Sequence, residues 1–249
     1  MVKFCNGGDK LEITITTSET VTWNFGDGDL PTGNAETSDA TKTVMTLPTL
    51  TAAHTGVYKA TYDPNKVEKF TIIVGAKTCT AVTPCIVKPG GSIHLDSGEP
   101  TGVTWYFKAP SGSETEIKDS GTDDPPKFTD TDKKELGLFN LQKAESGTYT
   151  AKKPSKAAKD FPVAVRAPVT EAKVQKRQSG CNVILECNVD GDAKSFKWTN
   201  GGTVVADATQ KQLTIQKVDA GANADYVCKA TDYDNGEKTS ATFAYTYAA

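Results

Sequence analysis

The chain has 249 residues, with 28 basic and 31 acidic side chains and a net charge of −3. That near balance excludes the strongly basic surface that nucleic acid or an anionic membrane selects. No stretch reaches the ~18 apolar residues of a membrane-spanning helix, and a chain this long can bury its cores without a metal.

The first strands show in their alternation. Leu11, Ile13 and Ile15 alternate with polar residues, as on a half-buried strand, and Val21, Trp23 and Phe25 repeat the pattern. Gly26-Asp27-Gly28-Asp29 breaks the chain, Thr43 to Leu47 predicts a short strand, and Ala52 to Gly56 predicts a turn ahead of Tyr58. Phe70 to Val74 closes this set. A second set opens with Ile93 and Leu95 and continues with Val103, Trp105 and Phe107. Ser111 to Gly121 is polar, and Asp123-Asp124-Pro125-Pro126 reads as a stiff acidic loop. Leu136 to Leu141 predicts the strand before Tyr149, and Phe161 to Val165 the last one. In a third set Val183, Leu185 and Cys187 alternate, with Cys181 on the same parity. Phe196 and Trp198 follow, then a Gly201-Gly202 turn, and Leu213 and Ile215 on a later strand.

Each set carries the same frame. Trp198 follows Cys187 by eleven residues, and Tyr226 precedes Cys228 by two, the signature of an immunoglobulin sandwich. Gly56-Val57-Tyr58-Lys59-Ala60 after Trp23, and Gly147-Thr148-Tyr149-Thr150-Ala151 after Trp105, keep the tyrosine and replace the second cysteine by Ala60 and Ala151. The expected fold is all-β: three tandem immunoglobulin-like β-sandwiches, at residues 1–75, 76–166 and 167–249. The first two are expected to lack an inter-sheet cysteine pair. In the third, Cys187 and Cys228 admit two readings. One is a disulfide closing about 40 residues and contributing about 4 kcal/mol; the other is a pair of free buried thiols. Cys79 and Cys85 are spaced to close a small loop, while Cys5 and Cys181 have no evident partner. The acidic residue usual at the third corner falls at Ala222, with Asp219 three residues early, which implies a local insertion. One rival applies to the first set alone. Trp23-Asn24-Phe25-Gly26-Asp27-Gly28 resembles the signature of polycystic-kidney-disease-type domains, also β-sandwiches, but recurrence of the frame favours the immunoglobulin reading.

Leu213-Thr214-Ile215-Gln216-Lys217-Val218 with Tyr226-Val227-Cys228-Lys229-Ala230-Thr231 resembles the intermediate-set (I-set) immunoglobulin domains of intracellular muscle proteins such as titin and twitchin. Val103-Thr104-Trp105-Tyr106-Phe107-Lys108 resembles the myosin-binding-protein branch, and the three-repeat layout is similar to small invertebrate muscle proteins of the disorganised-muscle kind. The resemblance covers the last two domains. It implies a non-enzymatic scaffold of the muscle cytoskeleton, organising myofilaments through protein–protein contacts. The alternative is an extracellular recognition or adhesion ectodomain. Met1 to Gly8 carries no apolar run of the secretory type, and no asparagine begins an N-x-Ser/Thr acceptor, which places the expectation in the cytoplasm unless targeting segments were removed.

Catalysis finds little in the residues. His54 and His94 are the only histidines, and both are expected at the surface, outside any nucleophile–base arrangement. Asp27, Asp29, Asp130 and Asp132 lie in acidic loops without the spacing of a calcium hand, so solvated carboxylates are expected and no metal. Cys79 and Cys85 lack the second pair that zinc requires. No cofactor, nucleic-acid partner or membrane insertion is expected. The strongest candidate for a partner-binding loop is Lys152-Lys153-Pro154-Ser155-Lys156-Ala157-Ala158-Lys159, whose four lysines suit an acidic partner such as a filament.

Overall fold

A computed structural model describes residues 2–63, 66–81, 83–118, 133–179, 182–215 and 223–246. The chain is all-β and divides into two compact units, Met1–Val165 and Arg166–Ala249. Three separate hydrophobic cores form, two of them in the first unit, each between a pair of sheets.

The first sandwich comprises β1 (Val2–Cys5), β2 (Leu11–Thr16), β3 (Thr22–Phe25), β4 (Ala35–Ser38), β5 (Lys42–Leu47), β6 (Gly56–Tyr62) and β7 (Lys66–Val74). Its sheets run β1-β7-β6-β3 and β2-β5-β4. The alternation read from the sequence is the burial seen: Leu11, Ile13 and Ile15 face inward, with Leu47 and Met45 opposite the first two. Trp23, Tyr58 and Phe70 fill the space between the sheets. β1 pairs in parallel with β7, an arrangement no periodicity announced.

The second sandwich comprises β8 (Lys77–Cys79), β9 (Cys85–Val87), β10 (Ile93–Asp96), β11 (Thr104–Lys108), β12 (Glu114–Glu116), β13 (Glu135–Leu138), β14 (Gly147–Lys152) and β15 (Lys159–Val165). The sheets are β13-β10-β8 and β12-β11-β14-β15-β9. β8 and β9 therefore belong to opposite sheets, although only five residues separate Cys79 from Cys85. The expectation of no inter-sheet cysteine pair in this sandwich is corrected. Cys79 and Cys85 form a disulfide, Cα atoms 5.5 Å apart, that ties one sheet to the other from inside the core. That expectation followed from the apolar residues at the positions that Cys187 and Cys228 hold in the third repeat; the small loop that Cys79 and Cys85 close spans the two sheets. The leading strand crosses between sheets, so its own two cysteines can bridge them.

The third sandwich comprises β16 (Glu171–Ser179), β17 (Asn182–Asp190), β18 (Ala193–Asn200), β19 (Thr203–Val204), β20 (Gln212–Ile215), β21 (Asn223–Asp232), β22 (Glu237–Thr239) and β23 (Phe243–Thr246). One sheet is β16-β17-β20; the other is β19-β18-β21-β22, with β23 also on β21. Gly201 and Gly202 take φ of 54° and 83°, the left-handed pair that a two-residue hairpin between β18 and β19 demands. Trp198 is fully buried beside the Cys187–Cys228 disulfide, which joins β17 to β21.

The glycine of the Gly-x-Tyr frame has a steric cause. Phe25 pairs with Tyr58 at a ring separation of 4.9 Å, and a Cβ on Gly56 would lie 2.5 Å from the Phe25 ring. Phe107 pairs with Tyr149 at 4.8 Å, and a Cβ on Gly147 would strike the Lys108 carbonyl and the Phe107 ring. In the third sandwich the residue two after the tryptophan is Asn200, opposite Tyr226, and Ala224 stands where the other repeats have glycine. A phenylalanine two places after the tryptophan and a glycine two places before the tyrosine thus occur together.

Candidate functional site

Two of the tyrosine corners are described in full. The Tyr58 hydroxyl donates to the His54 carbonyl at 3.1 Å, and the Tyr149 hydroxyl to the Glu145 carbonyl at 3.0 Å. Burial pushes the Tyr58 phenol up to about 12 and the Tyr149 phenol higher still, with Glu145 adding to the latter. Both hydroxyls therefore act as fixed neutral donors. Asp219 and Ala222, at the third corner, lie outside the described residues.

His54 is buried, which corrects its expected surface position. Its Nδ1 accepts the Thr51 backbone N–H at 2.9 Å, ahead of a short 3-10 turn. In the second sandwich Glu145 does the same: its Oε2 accepts the Gln142 backbone N–H at 2.6 Å. His54 thus takes the place of a capping carboxylate. His94 is half-buried, its Nε2 3.5 Å from Glu135. The Thr51 hydroxyl also lies 2.9 Å from His54 Nδ1, so the ring is held by both polar groups of Thr51 at the start of the turn.

The lysine loop between β14 and β15 is tied down. Lys153 and Lys156 Nζ lie 3.3 and 2.7 Å from Glu99 Oε2. Lys159 donates to the Ser97 carbonyl. Lys152 pairs with Glu114 and rests 4.3 Å from the centre of the Tyr106 ring. The hydrogen bond from Lys156, with help from Lys153, holds the Glu99 carboxyl below its ordinary value against the opposing effect of desolvation. These four lysines clamp the 97–99 bend and the β12 edge, and two carboxylates, Glu99 and Glu114, answer part of their charge within the sandwich. Glu99 escaped the sequence reading, although a usable signal existed. In this topology the loop after β10 and the loop after β14 lie at one end of the sandwich.

Asp27 pairs with Lys59 at 2.7 Å. Among the described residues no three histidine, cysteine or acidic side chains converge as metal ligands, and Asp130 and Asp132 lie outside those residues. Cys5 is a half-buried free thiol, raised mainly by burial, and Cys181 also lies outside. Among the described residues no helix is long and apolar enough to cross a membrane.

No protein-family model matches the chain, and no curated protein matches it. Solved structures similar to it include the CD2-binding domain of CD58 (15% identity, covering 67% of this chain and 97% of that one, TM-score 0.39). The I-band fragment of titin shares 18% identity over 96% of this chain and 93% of that one, TM-score 0.33. The full ectodomain of mouse nectin-like molecule 4 shares 16% over 99% and 96%, TM-score 0.29. The immunoglobulin-like fold rests on the strand order, the three cores and the two tyrosine corners rather than on these scores.

Proposed function

We propose that the chain is a non-enzymatic protein-recognition module, three immunoglobulin-like sandwiches in tandem, working at a cell surface or as a secreted protein. The observation that carries this reading is the second disulfide. Cys187–Cys228 alone fits either compartment, because a buried cysteine pair fills a core equally well when reduced. Cys79–Cys85 is different: it links the two sheets through the leading strand of a sandwich that lacks cysteines at the usual positions. Such bridges persist in oxidising compartments and are rare in the cytosol. Recognition by surface and strand-edge contact is the means this architecture offers.

The test is alkylation and mass spectrometry of protein taken from its native tissue under acid quench. Four protected cysteines, paired as 79–85 and 187–228, are expected. If those four thiols are found alkylated, the cytoplasmic muscle-scaffold reading drawn from the I-set resemblance takes its place.

A further inference from the structure

The leading strand is handled differently in each sandwich. β1 lies parallel on β7, and β9 lies parallel on β15, so the last long strand of the first two sandwiches is covered. In the third, β16 forms a ladder with β17 along all nine of its residues and none with β22 or β23. The outer edge of β22–β23 has no partner strand among the described residues. Beside it a groove of about 550 Å³ opens between β16 and β22–β23.

The lining of this groove is specific. Ala172, Val174 and Phe243 form an apolar floor continuous with the core. Lys238 lies opposite Ala230, whose side chain is fully buried, so the lysine is on the core-facing side of the sheet and yet exposed. Lys173 also lines the groove, and Lys176, the residue after the lining residue Gln175, sits 4.9 Å from the Tyr245 ring on β23. Glu171, the one acid in the lining, pairs with Lys173 at 2.8 Å, so Lys238 and Lys176 carry the charge of this edge. Between the pairs Tyr226–Phe243 and Lys229–Thr239 the last strand carries one more residue than β21, a bulge at the edge. An inward lysine and a bulge are devices that keep an edge from pairing with its own kind. Two copies meeting edge to edge would oppose their lysines; a strand carrying carboxylates would not.

We propose that the β22–β23 edge receives an extended segment of a protein partner, parallel to β23, in which acidic residues alternate with apolar ones. Backbone groups of the edge supply the ladder, the Ala172–Val174–Phe243 floor takes the apolar side chains, and Lys176 and Lys238 select the carboxylates. This rests on the protein-recognition half of the reading above and is independent of compartment, so cysteine pairing and strand capture fail separately.

The probe is a heptapeptide of alternating glutamate and valine, fused to the C-terminus of the full chain through about twenty Gly/Ser residues, which raises its local concentration to the millimolar range. A lysine–valine heptapeptide serves as its counterpart. Hydrogen exchange of residues 237–246 should slow by about tenfold or more with the glutamate probe and little with the lysine probe. Lys238→Glu should reverse that preference, and Lys176→Glu should weaken it from the other end. The contrast between probes on the unaltered chain stands even if a variant folds poorly. Equal protection by both probes, or by neither, overturns the proposal. So does protection in the unfused chain that grows with concentration as the protein dimerises, because the occupant is then a second copy.

Discussion

The second and third sandwiches close the same two-sheet core with a disulfide in different places. In the third, the bond joins β17 to β21 through the centre, and one nine-residue leading strand stays on a single sheet. In the second, the central positions are apolar, the leading strand is divided into β8 and β9, and the bond sits where it changes sheets. In the second sandwich the leading strand covers the edge of β15, as β1 covers β7 without a disulfide, and the bond anchors it to both sheets with a shorter cross-linked loop. In the third the leading strand remains on one sheet, and the edge of β22–β23 has no partner strand among the described residues.

Loop length makes this comparison measurable. Replacing Cys187 and Cys228 together by alanine should destabilise the third sandwich by about 4 kcal/mol. Replacing Cys79 and Cys85 should cost the second about 2 kcal/mol, because the loop released is much shorter. Peptide-resolved hydrogen exchange in denaturant reads each sandwich separately within the intact chain. If the Cys79–Cys85 pair proves the costlier, holding the leading strand across both sheets outweighs loop entropy.

The Gly-x-Tyr frame sharpens the contrast. Gly147→Ala must displace the Lys108 carbonyl or the Phe107 ring and should cost about 1–3 kcal/mol. Ala224→Gly makes the reverse change where no phenylalanine leans on the strand, and should cost less than about 1 kcal/mol, through backbone entropy. The tryptophans rank next. Trp105 and Trp198 donate Nε1–H to the carbonyls of Lys133 and Gln210, at 2.6 and 3.0 Å. Trp23 Nε1 is buried with no acceptor among the described residues. Each Trp→Phe change loses volume, but only those at Trp105 and Trp198 also lose a hydrogen bond. They should cost about 1 kcal/mol more than Trp23→Phe, measured the same way.

The parts visible in the sequence were those set by local period and steric frame. Leu11, Ile13 and Ile15 alternate because one sheet face is buried, and the three tryptophans and tyrosines mark three cores. What stayed hidden depends on distant partners. β8 has only three residues, too few to show alternation, and nothing near Cys79 or Cys85 says that the chain changes sheets between them. The lysine loop read as a free cationic patch because Glu99 and Glu114 lie 54 and 38 residues before the lysines Lys153 and Lys152 that they neutralise. The split of the last strand into β22 and β23 comes from one extra residue, which leaves composition unchanged.

The smallest effect concerns that lysine clamp and separates a structural end of the second sandwich from a recruiting one. Lys156, aided by Lys153, lowers the folded-state pKa of Glu99. A carboxyl lowered by folding contributes stability that is present above its unfolded value, ~4.3, and is lost as pH falls through its folded value. Peptides spanning β14 and the loop after it should therefore lose protection between pH 5 and the folded pKa of Glu99, in the general range of acid titration. Glu99→Gln should remove that part of the acid response while leaving protection of β21 in the third sandwich as it was. It also releases two lysines. If the variant then gains affinity for a polyglutamate probe in proportion to the charge freed, the loop is a cationic surface held shut by Glu99. If it gains none, Lys153, Lys156 and Lys159 serve only to fix the 97–99 bend.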